Sequence, residues 1–305
     1  MRVETYRELE TKDELFPLID QALWEYLNPV EFERDIEADP RLKHSQIGYS
    51  AIEKDLIIGF VGVMDMVTRS VDGSEVTVGG IWDVATHPAH TRKGVASTLM
   101  QRAHENFRER GYRFSLLTSG RADIAYNFYR KLGYEEVLTF PSAYKIIKPV
   151  KKLVKAAKRK MKPDWNGILR IFRQVTEDRT GLVIRSDEYM KMLDRRKIIQ
   201  SDKTVQTEKG YALLKEDEGR VSIKEIMAPT KEETIRLIRK AEEKALKTVV
   251  DRLILSDRTL DAYRSEGYMT LTQSYEVLMA KPLTKSATFK GTYGDDFYLT
   301  SVDLF

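Results

Sequence analysis

The sequence contains no cysteine. That absence excludes a disulfide framework, a thiolate nucleophile and any cysteine-ligated metal site. Histidine is scarce too, and His44, His87, His90 and His104 show no metal-ligand spacing, so no metal is expected. Long apolar runs are missing. The longest uncharged one, Leu56–Met64, has nine residues, against the roughly 20 a membrane-spanning helix needs. The opening stretch, MRVETYRELETKDELF, is charged throughout and holds no signal-peptide core. The expectation is a soluble, cytoplasmic protein with no membrane partner.

What is present suits a folded chain. Hydrophobic residues make up 42% and aromatics 10% of 305 residues, enough apolar material for a core. The length is about twice a common domain of roughly 100–150 residues, so two domains are expected. Charge is uneven. The run KPVKKLVKAAKRKMK, Lys148–Lys162, has eight basic residues and no acid; without it 43 basic residues face 47 acidic ones. It reads as a connector with a solvated face, or as a patch for a polyanion such as RNA. On this basis residues 1–147 form one domain, 148–163 a basic linker and 164–305 a second domain.

Patterning in the first half predicts a mixed α/β sheet in the order β-α-α-β-β-β-α-β-α-β. Thr11 and Glu14 have capping-box spacing ahead of a helix running to about Leu27, with Leu15, Leu18, Ile19, Ala22 and Leu23 on one face. Asn28-Pro29 starts a second helix. Strands are expected at 46–53, 56–66 and 75–85, the last two joined by the turn Val71-Asp72-Gly73-Ser74. Val95, Leu99, Ala103 and Phe107 recur at helical spacing as far as Gly111, a strand follows at 114–118, and Asp123 opens a helix that ends before Gly133.

The chemistry-bearing stretch is GGIWDVATHPAHTRKGVASTLM, residues 79–100. An apolar strand ends at His87-Pro88, and a basic turn with Gly94 opens a helix. The first N–H groups of a helix lack intrahelical acceptors and its dipole adds positive potential. With Arg92 and Lys93 beside them they suit a phosphate, although an ordinary basic strand-to-helix turn has the same sequence signature.

The segment Thr91-Arg92-Lys93-Gly94-Val95-Ala96 resembles the acyl-CoA loop of the GCN5-related N-acetyltransferase (GNAT) superfamily, Arg/Gln-x-x-Gly-x-Gly/Ala after a strand ending in Pro. It departs at Thr91, where the family has Arg or Gln, so one charged contact is lost. Asn127-Phe-Tyr-Arg-Lys-Leu-Gly-Tyr134 is similar to the second signature of the superfamily. The resemblance implies acetyl-CoA as cosubstrate. Val84, Ala85 and Thr86 would pair with the pantetheine arm on a strand splayed from its neighbour. Arg92, Lys93, Gly94, Val95, Ala96 and Ser97 would cradle the pyrophosphate, and Tyr129 would protonate the departing thiolate. Asp83 is a weaker candidate for a base acting through water.

The second half resembles a worn copy of the first. Tyr263-Arg-Ser-Glu-Gly-Tyr268 parallels Tyr129-Arg-Lys-Leu-Gly-Tyr134, Lys281-Pro282 parallels Lys148-Pro149, and Glu225–Pro229 parallels Asp83–Pro88. After Pro229, however, Thr230 and Glu233 have capping-box spacing and Glu232 joins them where phosphate would lie, so no CoA is expected there. Two tandem GNAT-like domains, the second degenerate, resemble Eis-type acetyltransferases without their sterol-carrier-like domain. That resemblance implies a carboxylate at Phe305 acting as base in the first domain; a last strand completing the second sheet is the other reading of this tail. The activity expected is N-acetyl transfer from acetyl-CoA to an amine of a small molecule or protein. The alternative is a non-catalytic module that senses CoA or binds a polyanion through Lys148–Lys162. The sequence leaves a homo-oligomer open and does not identify the amine; Glu25, Glu31, Glu33 and Asp35 could attract a cation or be a solvated helix face.

Overall fold

The computed structural model describes residues 1–24, 26–147, 163–181, 183–245, 248–251, 257–272 and 276–304. The basic run Lys148–Lys162, Glu25 and Phe305 lie outside the described residues. In chain order the elements of the first half are β1 (Arg2–Thr5), α1 (Leu15–Leu23), α2 (Pro29–Ala38), β2 (Gly48–Glu53), β3 (Leu56–Arg69), β4 (Glu75–Thr86), α3 (Val95–Glu109), β5 (Phe114–Gly120), α4 (Ile124–Lys131), β6 (Glu135–Thr139) and β7 (Ser142–Ile146). There follow α5 (Trp165–Val175), β8 (Thr180–Gly181), α6 (Asp187–Arg195), β9 (Val205–Gln206), β10 (Tyr211–Asp217), β11 (Arg220–Met227), α7 (Lys231–Glu242) and β12 (Thr248–Asp251). The chain closes with α8 (Asp257–Ser265), β13 (Met269–Leu271), β14 (Glu276–Pro282), α9 (Phe289–Tyr293) and β15 (Phe297–Tyr298).

These elements form two compact units that cross the contiguous division expected from the sequence. The first unit takes Met1–Leu138 together with Leu278–Asp295; the second takes Thr139–Val277 and Asp296–Leu304. Strand order in the first is β1-β2-β3-β4-β5-β14-β6, and in the second β13-β7-β12-β11-β10-β9. Strand β7 therefore follows β6 in the chain yet pairs with β12 and β13. The cause is packing: Ala143 of β7 is fully buried in the core of Val205, Leu214, Val221, Ile223 and Leu237, while Val277, Leu278, Met279 and Ala280 of β14 are all buried. The two strands that precede the matched Lys-Pro pairs are the ones exchanged.

Local chemistry explains most element ends. Asn28 caps α2 through the N–H groups of Val30 and Glu31, with Pro29 first in the helix. The expected capping box before α1 does not form. Glu14 instead accepts the Ile57 N–H at 3.0 Å, and α1 stops at Leu23 because Trp24 turns left-handed (φ 56°). Leu15, Leu18 and Ile19 are buried as expected, whereas Ala22 and Leu23 are exposed. Asp123 stands at the start of α4 without capping it; its carboxylate accepts the Gly120 N–H at 2.8 Å. Helix α3 buries Val95, Leu99, Ala103 and Phe107, so the predicted apolar stripe faces the sheet.

Candidate active site

The first unit opens a gap in its own sheet. Strands β4 and β5 run parallel and pair only at Gly79–Ser115 and Gly80–Leu116, whereas β3 follows β4 to Thr86. Beyond Gly80, then, β4 has a partner on one side only among the described residues, and Val84, Ala85 and Thr86 border the opening. The β3–β4 register slips between Phe60–Ala85 and Gly62–Trp82, which sets Asp83 and Val84 against Val61 alone. Asp83 holds a left-handed backbone (φ 44°), a conformation that costs a non-glycine residue on the order of 1 kcal/mol. This bulge breaks the in-out alternation, so Trp82, Asp83 and Val84 are all half-buried.

Past β4, a short turn at Pro88–His90 leads to Gly94 (φ 85°), which opens α3 with no side-chain cap. A Cβ at Gly94 would meet nothing within 4 Å, so glycine serves the left-handed turn rather than clearance. Close approach is needed one layer below. A Cβ on Gly59 would lie 2.5 Å from Val95 Cγ1, and this contact seats the first turn of α3 on the sheet. The first backbone bond of the helix runs from Thr98 N–H to the Gly94 carbonyl at 3.0 Å. The N–H groups just before it point out of the helix start without intrahelical acceptors. Arg92, Lys93, Gly94 and Ser97 are exposed, Ala96 is half-buried and Val95 is buried. Neither Arg92 nor Lys93 has an ion pair among the described residues. Thr91 spends its hydroxyl on the Pro88 carbonyl at 3.0 Å, so it braces the turn instead of offering a contact.

Tyr129 lies on α4, 7% exposed, packed edge-on against Tyr134 and beside Phe128. Burial, with a smaller contribution from the Asp123 carboxylate, pushes its hydroxyl up to about 12. It therefore stays protonated at neutral pH, and it makes no hydrogen bond among the described residues. Below it, Tyr134 bonds His104 Nε2 at 2.8 Å and Ser115 Oγ at 2.6 Å, a buried cluster tying α3 to β5 that no motif announced. His87 and His90 flank the turn, with His90 Nε2 3.3 Å from Glu53, and no group of three or more possible metal ligands occurs among the described residues. No helix among them is long and apolar enough to cross a membrane.

Comparison with known proteins agrees with this architecture. Residues 9–137 match the model of an acetyltransferase (GNAT) domain. No curated protein sequence matches the chain. Among solved structures, a GCN5-related N-acetyltransferase from Kribbella flavida is similar at 18% identity and TM-score 0.66, over 92% of this chain and 70% of that one. Eis1 from Mycobacterium abscessus is similar at 16% identity and TM-score 0.58, over 92% and 73%. Saccharomyces cerevisiae N-myristoyltransferase, solved with bound myristoyl-CoA, is similar at 12% identity and TM-score 0.58, over 100% and 86%. At such identities these likenesses speak for the fold. The chain thus has a mixed α/β fold shared with GNAT proteins along most of its length, and its residues 9–137 are similar to the acetyltransferase (GNAT) domain.

Proposed function

We propose that the first unit transfers an acetyl group from acetyl-CoA to an amine. The observation that carries this reading is the conjunction of the one-sided stretch of β4 beyond Gly80 with the uncapped start of α3 at Gly94. An acyl-CoA is long, with a polar arm and a diphosphate, and needs both features at once. Main-chain groups of Val84, Ala85 and Thr86 pair with the arm as an added strand would. The N–H groups opening α3, with Arg92 and Lys93, hold the diphosphate. N-myristoyltransferase, of similar fold, binds a CoA thioester, which supports the choice of ligand class.

The amine attacks the thioester carbon directly. Backbone N–H groups at the β4 bulge stabilise the oxyanion. Collapse of the tetrahedral intermediate re-forms the carbonyl and breaks the C–S bond; Tyr129 gives its proton to the leaving sulfur, and the proton shed by the acylated nitrogen returns through water to the Tyr129 oxygen. A tyrosine held in its protonated form by burial suits that task. The acceptor amine must arrive neutral and aligned, which is most of what the site has to secure.

The test separates binding from chemistry. Tyr129→Phe should lower acetyl-transfer turnover at least tenfold and leave acetyl-CoA affinity, measured by calorimetry, within twofold. Loss of CoA binding to the wild-type protein itself would refute the reading. CoA binding without acetylation of any amine in a broad panel would leave the sensing alternative.

A further inference from the structure

The two units share a feature that sequence alone misaligns. In the second unit, β11 pairs antiparallel with β10 and parallel with β12, the described β12 pairs running from Arg220–Thr248 to Ile223–Asp251. Just beyond, the β10–β11 register slips between Leu213–Glu225 and Leu214–Ile223, leaving Lys224 as the extra residue. Counted back from the prolines that end the two stretches, Lys224 stands where Asp83 stands, and Glu225 where Val84 stands. Both bulges stand the same distance ahead of a strand-ending proline, so the second unit repeats the bulge that borders the gap in the first.

In the second unit this bulge is covered. Arg185 donates to both Glu225 oxygens at 2.8 and 2.7 Å and to both Asp303 oxygens at 3.1 and 2.7 Å, and its Nη2 also reaches Thr300 Oγ1 at 3.0 Å. Arg185, Glu225 and Asp303 side chains are all 0% exposed. Tyr211 donates to Glu225 at 2.6 Å and Tyr189 to Asp303 at 3.0 Å. The Ser301 hydroxyl donates to the carbonyl of Lys224, the bulged residue itself. Each of the three guanidinium nitrogens has a carboxylate partner, the condition under which a buried ion cluster is tolerated.

We infer that the second unit is an intramolecular receptor: its bulge and Arg185 bind the segment Thr300-Ser301-Val302-Asp303 as a built-in ligand where the first unit keeps its gap open. The determinants are two hydroxyls and a carboxylate on the segment side, and a guanidinium, a carboxylate and a bulge carbonyl on the receptor side. Closure of the α7 start by the Thr230 cap, which accepts the Glu233 N–H at 3.3 Å, fits the same conversion from coenzyme site to peptide cradle.

Hydrogen exchange on the full chain tests this. In the wild type, the amides of 297–303 should exchange as slowly as those of β10 and β11. Asp303→Ala should speed exchange of 297–303 at least a hundredfold while β10, β11 and the first unit change less than threefold, and the milder Thr300→Val should give an intermediate effect. Unchanged protection of 297–303 in Asp303→Ala would overturn the inference. So would loss of protection throughout the second unit in both variants, because the cluster would then be core rather than receptor. None of these readouts involves acetyl transfer, so they stand apart from the proposed activity.

Discussion

His104 gives the first unit a calculable sensitivity to acid. It sits on α3 at 3% exposure, hydrogen-bonded to the buried Tyr134. Burial, followed by the charges of Lys281 and Arg108, lowers its pKa from 6.5 to about 3. A neutral imidazole lets Tyr134 donate to Nε2 and accept from Ser115. Because the folded value lies below the unfolded one, His104 has no effect on stability above about pH 6.5. Below it only the unfolded chain takes up the proton, and stability falls until the folded pKa is reached near 3. At 1.36 kcal/mol per pKa unit the full loss is about 5 kcal/mol, of which about 2 kcal/mol falls between pH 6.5 and 5. That is a sizeable part of the roughly 5–15 kcal/mol that holds a domain together. The measurement is urea unfolding at pH 7 and pH 5 for the wild type and His104→Gln, whose amide accepts the Tyr134 bond without titrating. The wild type should lose about 2 kcal/mol more than the variant on this step. Parallel losses in the two proteins would refute the reasoning.

Two further outcomes follow from the architecture. Gly94→Asp puts a carboxylate at the uncapped start of α3 and should weaken acetyl-CoA binding at least tenfold, about 1.4 kcal/mol, as read by calorimetry; Gly94→Asn, which shares the left-handed strain without the charge, should weaken it far less. A fragment of residues 1–147 lacks β14, whose Val277, Leu278 and Met279 are each 0% exposed. At about 1.5–3 kcal/mol per buried apolar side chain, that loss matches the stability of a whole domain, so the fragment should show no cooperative unfolding. Appending residues 276–295 through a flexible linker should restore it.

Legibility followed the range of the interactions. Helix α3 could be read because its stripe is local: Val95, Leu99, Ala103 and Phe107 repeat at the helical period and all four are buried. The Gly94 turn and the Phe128-Tyr129…Gly133-Tyr134 pattern were equally local, and the second half repeats the latter in detail. Tyr134 N–H bonds the Tyr129 carbonyl at 3.1 Å and Tyr268 N–H bonds the Tyr263 carbonyl at 3.0 Å, with Gly133 and Gly267 both left-handed between them. What could not be read was long-range. Strands β7 and β14 each look like the last strand of their own half, since alternation carries no address for the partner strand. The bulge at Asp83 was hidden for a related reason: a register slip is set by pairing with β3, and the residue that absorbs it is an aspartate, not a glycine. Arg185, Glu225 and Asp303 lie 40 and 118 residues apart along the chain, so no spacing motif could have joined them.

Synthesis from the N-terminus gives the strand exchange a temporal consequence. When β6 leaves the ribosome, the slot between it and β5 has no occupant, because β14 ends at Pro282, 143 residues later than Thr139. At roughly 5–20 residues per second that delay is about 7–30 s. For this interval β5 and β6 present unpaired edges to any strand that comes near. The half of the chain that is made first is thus among the last parts to become a finished sheet, and crowding by nascent neighbours is the hazard its folding has to outrun.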